Sequence, residues 1–299
     1  MLTPRSSRSN VKHACAALFV VLIAVVPLAN AIPTFGIFVG PGNGGTPGNC
    51  TGSHINRSES SSSALSGDMA CSDFRGATAG LAAAKPGQLG TSASATHSGN
   101  SSTFSMFAAA NMIDTVIFSG PVGSSVTQIP VVLNLAFMGI LDNAGTAMSS
   151  IILQVSLGSP IEQANIILSN TDLFCYGNNL ALPVAFGGFN CSTASLNAGQ
   201  ILSLPVQQVS VGTPVVFSLQ LMSGAHAIGN GSALSDFSNS LEFPTGIDVF
   251  TLPQGFTANA GSYLVNNRFT LAAIPEPETY VLMVAGLALL AYMQRRRKK

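Results

Sequence analysis

Three stretches of the chain, at 131–137, 151–157 and 215–221, alternate apolar and polar residues with a period of two. Such alternation over about eight residues is typical of a β-strand that buries one face and leaves the other in contact with water. Polar side chains such as Gln154 and Gln220 fall on the opposite face. The predicted core positions are Val131, Leu133, Leu135 and Phe137 in the first stretch, Ile151, Leu153, Val155 and Leu157 in the second, and Val215, Phe217, Leu219 and Leu221 in the third.

The same interpretation extends over most of the chain from Phe104 onward. Gly, Pro and Asn separate the apolar runs, and no segment between Phe104 and Arg268 has a helical period. The pattern predicts a mainly β domain over residues 104–273, built as an antiparallel β-sandwich or jelly roll. Residues 32–103 are rich in Gly, Ser and polar runs, and we expect them to form a loop-like N-terminal segment. Shorter apolar runs that fit strands lie at 114–120, 201–211, 235–243 and 247–253.

The first 31 residues have the three parts of a secretory signal peptide. A basic region with Arg5, Arg8 and Lys12 precedes an apolar stretch at 14–28, and an Ala29-Asn30-Ala31 site follows. This order predicts cleavage after Ala31. The alternative is an uncleaved N-terminal anchor. Its 15 apolar residues are fewer than the ~20 that a bilayer core usually requires.

The C-terminus combines an apolar run with a basic tail. Residues 280–293 are 14 positions without a charge, which as a helix would extend about 21 Å. The basic side chains at 295–299 can reach the lipid head groups, so we expect a single, short transmembrane helix. A buried core helix is the alternative, but this run lacks the polar face that such a helix would show. The basic tail predicts a cytoplasmic C-terminus and an exported body.

A Pro-Glu-Pro motif precedes the apolar run. It consists of Pro275, Glu276 and Pro277, and the basic cluster after the run includes Arg295, Arg296 and Arg297. With these three parts in order, residues 274–299 resemble the PEP-CTERM sorting signal of Gram-negative bacteria. The resemblance implies export, transient or permanent anchoring in the inner membrane by the C-terminal helix, and cleavage near Pro-Glu-Pro by a membrane enzyme called an exosortase. The protein would then reach the cell surface or an extracellular polysaccharide matrix.

Residues 104–268 also resemble, less specifically, an ectodomain that recurs in PEP-CTERM proteins. In that group an Asp-containing strand near the start and an Asp-Phe-Ser-Asn strand late in the domain flank Ser- and Ala-rich strands. This sequence has Asp114 in the first position and Asp236 in the second, and it departs from the group at 159–199. The resemblance implies a β-rich fold and no particular activity.

The body of the chain is acidic and sparsely charged. Between residues 32 and 274, ten acidic and four basic residues give a net charge of −6. Since no basic stripe is present, we expect no nucleic-acid partner. We also predict no cofactor.

No catalytic constellation stands out among the titratable residues. His54, His97 and His226 lie in polar, Gly- and Ser-rich stretches and are expected to be solvated loop residues. Glu242 and Asp248 have the residue types of a glycosidase pair, but their spacing in sequence does not show one. We therefore predict no catalytic residue.

One loop-like sequence offers ligands for calcium. In "LDNAG", Asp142 and Asn143 carry side-chain oxygens of the kind that calcium prefers. The same sequence is also a good turn, and we predict a turn and no metal site. The interpretation that follows is a non-enzymatic structural or adhesive component of the cell surface or exopolysaccharide matrix. The alternative is a secreted glycan hydrolase or a lectin-like binding protein.

Four cysteines remain once the signal peptide, which contains Cys15, is removed. An even number in an exported chain predicts two disulfides, and free buried thiols are the alternative. Of the three pairings, we prefer Cys50 with Cys71 and Cys175 with Cys191, because each local loop encloses a polar, turn-rich excursion. A loop of this size would stabilise the fold by roughly 3 kcal/mol.

Peptide mapping of the exported protein without reduction tests these disulfides. We expect Cys175 to stay linked to Cys191, and Cys50 to Cys71, until a reductant is added. We also expect an alkylating reagent to label none of the four residues before reduction. Four reactive thiols in the exported protein would contradict the prediction.

Overall fold

A computed structural model of the protein describes residues 32–42, 47, 50, 53–60, 64–99, 103–158, 161–169, 172–178, 195–203, 207–260 and 263–270. The chain divides into two compact units between Ala31 and Ile32, and the described residues all belong to the second. The predicted signal peptide, with Ala29 and Ala31, and the predicted sorting signal lie outside the described residues. Cys191 lies outside them as well.

The described residues form sixteen β-strands, and all of the pairings between them are antiparallel. The prediction of a mainly β chain is confirmed. The strands are β1 (Thr34–Pro41), β2 (Ile55–Ser60), β3 (Leu65–Asp73), β4 (Gly76–Lys85), β5 (Gln88–His97), β6 (Thr103–Ser119), β7 (Gln128–Leu157), β8 (Ile161–Ser169), β9 (Asp172–Asn178), β10 (Ser195–Ser203), β11 (Gln207–Ser210), β12 (Pro214–Glu242), β13 (Phe250–Thr251), β14 (Thr257–Ala260), β15 (Leu264–Val265) and β16 (Arg268–Phe269).

Two long strands organise the sheet. β12 has 29 residues and β7 has 30, and they pair with each other over most of their length. On its other side, β12 pairs first with β6 and then with β5. At the change of partner its register against β7 shifts between Ile228 and Ser232. Gly145 of β7 faces this bulge with φ of 68°, and a Cβ there would lie 2.3 Å from the carbonyl oxygen of Asn230, so only glycine fits.

The sheet curls until its first strands face one another. A Cβ at Gly80 of β4 would lie 2.7 Å from Val39 Cγ1 of β1 and 2.9 Å from Met106 Cγ of β6. Gly67 of β3 is similarly close to Ile37 of β1. β3 and β4 therefore pack onto β1 and β6, and the apolar core lies between these layers.

The hydrogen-bonded pairing of strands is continuous, so the two layers belong to one sheet. The prediction of a β-sandwich or jelly roll implied two separate sheets. The stretches at 131–137 and 151–157, expected as two strands, are parts of the single strand β7. The "LDNAG" sequence, predicted to be a turn, lies inside β7 as well, where Asp142 is opposite Leu234 of β12. The reason is that β12 accommodates Gly145 with a bulge, so the pairing of β7 with β12 resumes on both sides of the glycine.

The prediction that residues 32–103 form a separate loop-like segment is wrong. These residues contribute β1 to β5 to the same sheet as the rest of the chain. In β4 the buried positions are Thr78, Gly80, Ala82 and Ala84. Because these side chains are small, their alternation carries little hydrophobic signal, yet small side chains are what allow the two layers to approach closely.

A disulfide fixes the N-terminal part of this sheet. Cys50, which precedes β2, is bonded to Cys71 in β3, with Cα atoms 5.7 Å apart and a sequence separation of 21. The first predicted pair is therefore present. Cys175 lies in β9, and its predicted partner is outside the described residues.

All twelve apolar positions predicted from the three alternating stretches are buried. Phe217 of β12 has no exposed surface, and its ring centroid lies 5.9 Å from that of Phe243 and 6.2 Å from that of Phe250. Gln220 lies on the opposite face of the same strand and is only half-buried. The register predicted for this strand is confirmed.

We expect Phe217→Ala to be costly and Gln220→Ala to be nearly neutral for stability. Loss of a fully buried Phe side chain leaves a cavity and typically destabilises by about 3–5 kcal/mol. Truncation of a side chain on the solvent side changes stability by roughly 0.5 kcal/mol or less. Chemical denaturation of both variants measures the difference, and equal shifts in the unfolding midpoint would contradict the assigned register.

Candidate functional site

The last described strands hold the chain just before the predicted sorting signal. Asn267, in the turn between β15 and β16, has φ of 67°, a conformation that Asn tolerates better than most residues. Its side chain accepts a hydrogen bond from Phe250 N (2.9 Å) and donates one to Phe250 O (2.6 Å). Its backbone N–H donates to Ala258 O (2.7 Å). One buried amide thus ties this turn to two other strands.

A buried polar pair anchors the same region to β6. The hydroxyl of Tyr263 donates a hydrogen bond to Asp114 Oδ2 at 2.5 Å, and Thr115 N donates to Asp114 Oδ1 at 2.7 Å. Asp114 is 4% exposed and Tyr263 is 3% exposed. The ring of Tyr263 stacks on Phe243 at 6.0 Å. The pair therefore joins the strand at the centre of the sheet to the segment that leads out of it.

Burial governs the protonation of this pair. Loss of hydration raises the pKa of Asp114, and the hydrogen bonds from Tyr263 and Thr115 oppose that rise. Burial, followed by the charge and the hydrogen bond of Asp114, raises the pKa of Tyr263. Tyr263 thus remains a hydrogen-bond donor, while Asp114 carries a charge that is costly to bury.

The sequence pattern places Asp114 in a strand but does not identify Tyr263 as its partner. A signal does exist in the sequence. Asp114 occupies the same phase of β6 as the buried Met112 and Val116, and a carboxylate at a core position requires a buried donor. The identity of that donor depends on the fold, because 149 positions separate the two residues.

The described region ends close to the predicted motif. Thr270 N donates a hydrogen bond to Tyr263 O at 2.8 Å, and Arg268 lies 3.4 Å from Asp248 across an exposed bridge. Only four residues separate Thr270 from Pro275. The predicted cleavage motif, which lies outside the described residues, therefore follows directly on the last hydrogen-bonded strand.

The three histidines lie on different elements. His54 is exposed and stacks on Phe38 at 6.2 Å, in keeping with the expectation of a solvated residue. His97 is buried in β5, where its Nδ1 donates to the carbonyl oxygen of Gly229 at 2.7 Å. His226 is half-buried in β12. For the last two, the loop prediction is wrong, because the polar stretches around them pair as strands.

The candidate carboxylates are also dispersed. Glu242 ends β12, opposite Gln88 and Ala136, whereas Asp248 faces Arg268. Asp142 is exposed on β7, and the Asn143 amide donates to Ala147 O at 3.3 Å. Within the described ranges, no three His, Cys, Asp or Glu side chains are grouped closely enough to hold a metal ion.

Comparison with known families identifies the C-terminus. Residues 273–298 match the PEP-CTERM protein-sorting motif. The resemblance seen in the sequence is thus shown, and the chain carries an exosortase-type sorting signal at the end of a β-rich body. No curated protein and no solved structure matched the chain. Among the described residues, no helix has the length and apolar character needed to cross a membrane.

The Asp114–Tyr263 pair predicts a pH-dependent cost of substitution. Tyr263→Phe leaves the buried carboxylate with one donor fewer, which at neutral pH should destabilise by about 1.5–3 kcal/mol. The cost should shrink as the pH falls through the raised pKa of Asp114, because the carboxyl group then becomes neutral. In the wild type, the raised pKa means that stability falls as the pH rises from the unfolded value of 3.8 through the folded value.

Thermal unfolding of the wild type, Tyr263→Phe, Asp114→Asn and the double variant across pH 4 to 8 measures both effects. Asp114→Asn removes the titrating group, so the cost of adding Tyr263→Phe to it should not vary with pH. Asp68→Asn, at an exposed position of β3, is the matched control. An equal cost of Tyr263→Phe at both ends of the range would contradict the prediction.

Proposed function

We propose that this protein is a structural or adhesive component of the cell surface or exopolysaccharide matrix. The PEP-CTERM motif at residues 273–298 is the observation that carries the proposal. It supports an exported, surface-sorted protein whose C-terminal signal is held in the membrane and processed by an exosortase. In this proposal the curled sheet is a sandwich-like ectodomain that remains after the C-terminal signal is removed.

The described part of the molecule has features that suit a long-lived extracellular component. The Cys50–Cys71 disulfide closes a loop around β2, and such a cross-link is typical of exported proteins and persists in oxidising surroundings. The sheet buries a continuous apolar cluster that extends from β1 to β15. Two arginines form ion pairs with nearby carboxylates: Arg75 with Asp73, and Arg268 with Asp248.

Intact-mass spectrometry of surface-released protein tests the route. We expect the released form to begin at Ile32 and to end near Pro275–Pro277, because both predicted signals are cut. Protein with alanine at all three of these motif positions should keep the basic tail and remain with the membrane fraction. Pro253→Ala, outside the motif, is the matched control.

Fractionation of the culture then tests the destination. The released wild-type chain should be recovered with the insoluble matrix and be freed when the matrix polysaccharide is digested. A wild-type chain that still carries Arg295–Lys299 in all of its surface population would contradict the route. A processed chain found only in the free medium would contradict the structural or adhesive role.

A further inference from the structure

One face of the sheet carries carboxamide residues in register on neighbouring strands. Asn111 of β6 is opposite Gln220 of β12, and Gln220 is opposite Gln154 of β7. The backbone register continues this row to Gln163 of β8 and Asn178 of β9. Five successive strands thus place Asn or Gln at one level of the sheet. We call the three of these residues whose side chains are described, Asn111, Gln220 and Gln154, the amide row.

The amide row lies on the solvent side of the sheet. Leu219 and Leu221, the neighbours of Gln220 in β12, are buried, and alternation along the strand therefore turns Gln220 outward. On the same face, Ile113 and Val216 keep 43% and 55% of their surface exposed. The amides with described side chains are half-buried, as expected for residues that stand side by side on a sheet.

Aromatic rings lie next to one end of the row. The ring centroids of Phe38 in β1 and Phe107 in β6 are 6.3 Å apart, with the rings tilted by 55°, and His54 stacks on Phe38. Phe107 is opposite Gly40 of β1 and Gly224 of β12. A Cβ at Gly40 would lie 2.9 Å from Phe38 Cζ, so the glycine lets this ring lie over the sheet. Together the rings form a low aromatic platform.

This part of the face carries no ionised side chain among the residues whose side chains are described. An ionic ligand would find no counter-charge beside the amide row, which argues against a polyanion or a polycation. The flanking positions are Thr34, Ile113, Ser218 and Ser156 on one side and Phe38, Ala109, Met222 and Ile152 on the other.

We propose that the amide row binds a neutral polysaccharide chain that lies across the strands, an inference that rests on the matrix role proposed above. A carboxamide offers two N–H donors and a carbonyl acceptor, which match the donors and acceptors of sugar hydroxyls. Neighbouring strands lie about 4.8 Å apart, a spacing close to the length of one pyranose residue. Successive amides can therefore meet successive sugars of one extended chain.

The aromatic platform and Asn111 add to this match. Phe rings present flat apolar faces, against which the C–H groups of a pyranose can pack. Asn111 Oδ1 is buried beside Gly36 of β1 and has no hydrogen-bond partner within the described part of the chain. A rotation of this amide toward a ligand would therefore break no hydrogen bond made by that oxygen, and it would relieve an unpaired acceptor.

Affinity electrophoresis of the full chain measures the binding. The probes are hydroxyethylcellulose as a neutral glucan and alginate as an anionic polysaccharide, in a zwitterionic detergent that has no sugar head group. We expect the neutral glucan to retard the protein and alginate to leave its mobility unchanged. The retardation should persist at high salt, because no ion pair is involved.

Variants locate the site. Gln220→Ala and Gln154→Ala should each weaken the binding about two- to tenfold, the effect of one lost hydrogen bond. Gln220→Ala should leave the unfolding midpoint near the wild-type value. Gln128→Ala, an exposed glutamine at the start of β7 outside the amide row, should bind as the wild type does.

Three outcomes would overturn the inference. The first is binding to alginate alone, and the second is wild-type affinity in the Gln154→Ala/Gln220→Ala double variant. The third is self-association of the chain that these substitutions abolish, because the amide row would then bind a second copy of the chain. Recovery of the double variant with the matrix at wild-type levels would reject the amide row while the matrix role stands. Absence of the wild type from the matrix would instead reject the proposed function.

Discussion

β12 is hydrogen-bonded on both sides over most of its 29 residues, to β7 on one side and to β6 and β5 on the other. Its register fixes which side chains enter the core of both layers. A slip by one residue would move Phe217 to the solvent side and bring Gln220 into the core. Because a single strand crosses both layers, such a slip could not be confined to one of them.

The close approach of the layers is the second constraint, and it explains why the first hundred residues were harder to interpret. Large apolar residues alternate in β12 and in the second half of β7, so their strands and buried faces could be predicted from the sequence. In β4 the buried face consists of Thr78, Gly80, Ala82 and Ala84, which a scale of hydrophobicity hardly separates from their neighbours. Their function is spatial, since Gly80 leaves room for Val39 and Met106.

Contacts between residues far apart in the chain also could not be predicted from the sequence. The Cys50–Cys71 bridge could be predicted, because the loop it closes is local. The Asp114–Tyr263 hydrogen bond could not be predicted, although the position of Asp114 in an apolar strand indicates that its carboxylate requires a partner. The sequence around Gly145 predicts a turn, because a glycine with positive φ suits both a turn and a position opposite a bulge, and only the opposite strand decides between them. For the sorting signal the reverse is true, since a linear motif is recognised from sequence alone.

The same alternation that packs the core arranges the amide row. Hydrogen bonding along β6, β12 and β7 fixes the backbone positions of Asn111, Gln220 and Gln154, so these side chains lose less freedom on binding than they would on loops. Such pre-organisation favours affinity, because less conformational entropy remains to be lost. The outward side chains contribute little to the core, so their identity can follow the needs of a ligand while Phe217 and its neighbours maintain the fold. A sheet with a packed apolar face and a polar outer face suits the role proposed for this protein, that of an exported chain released from its anchor and retained outside the cell.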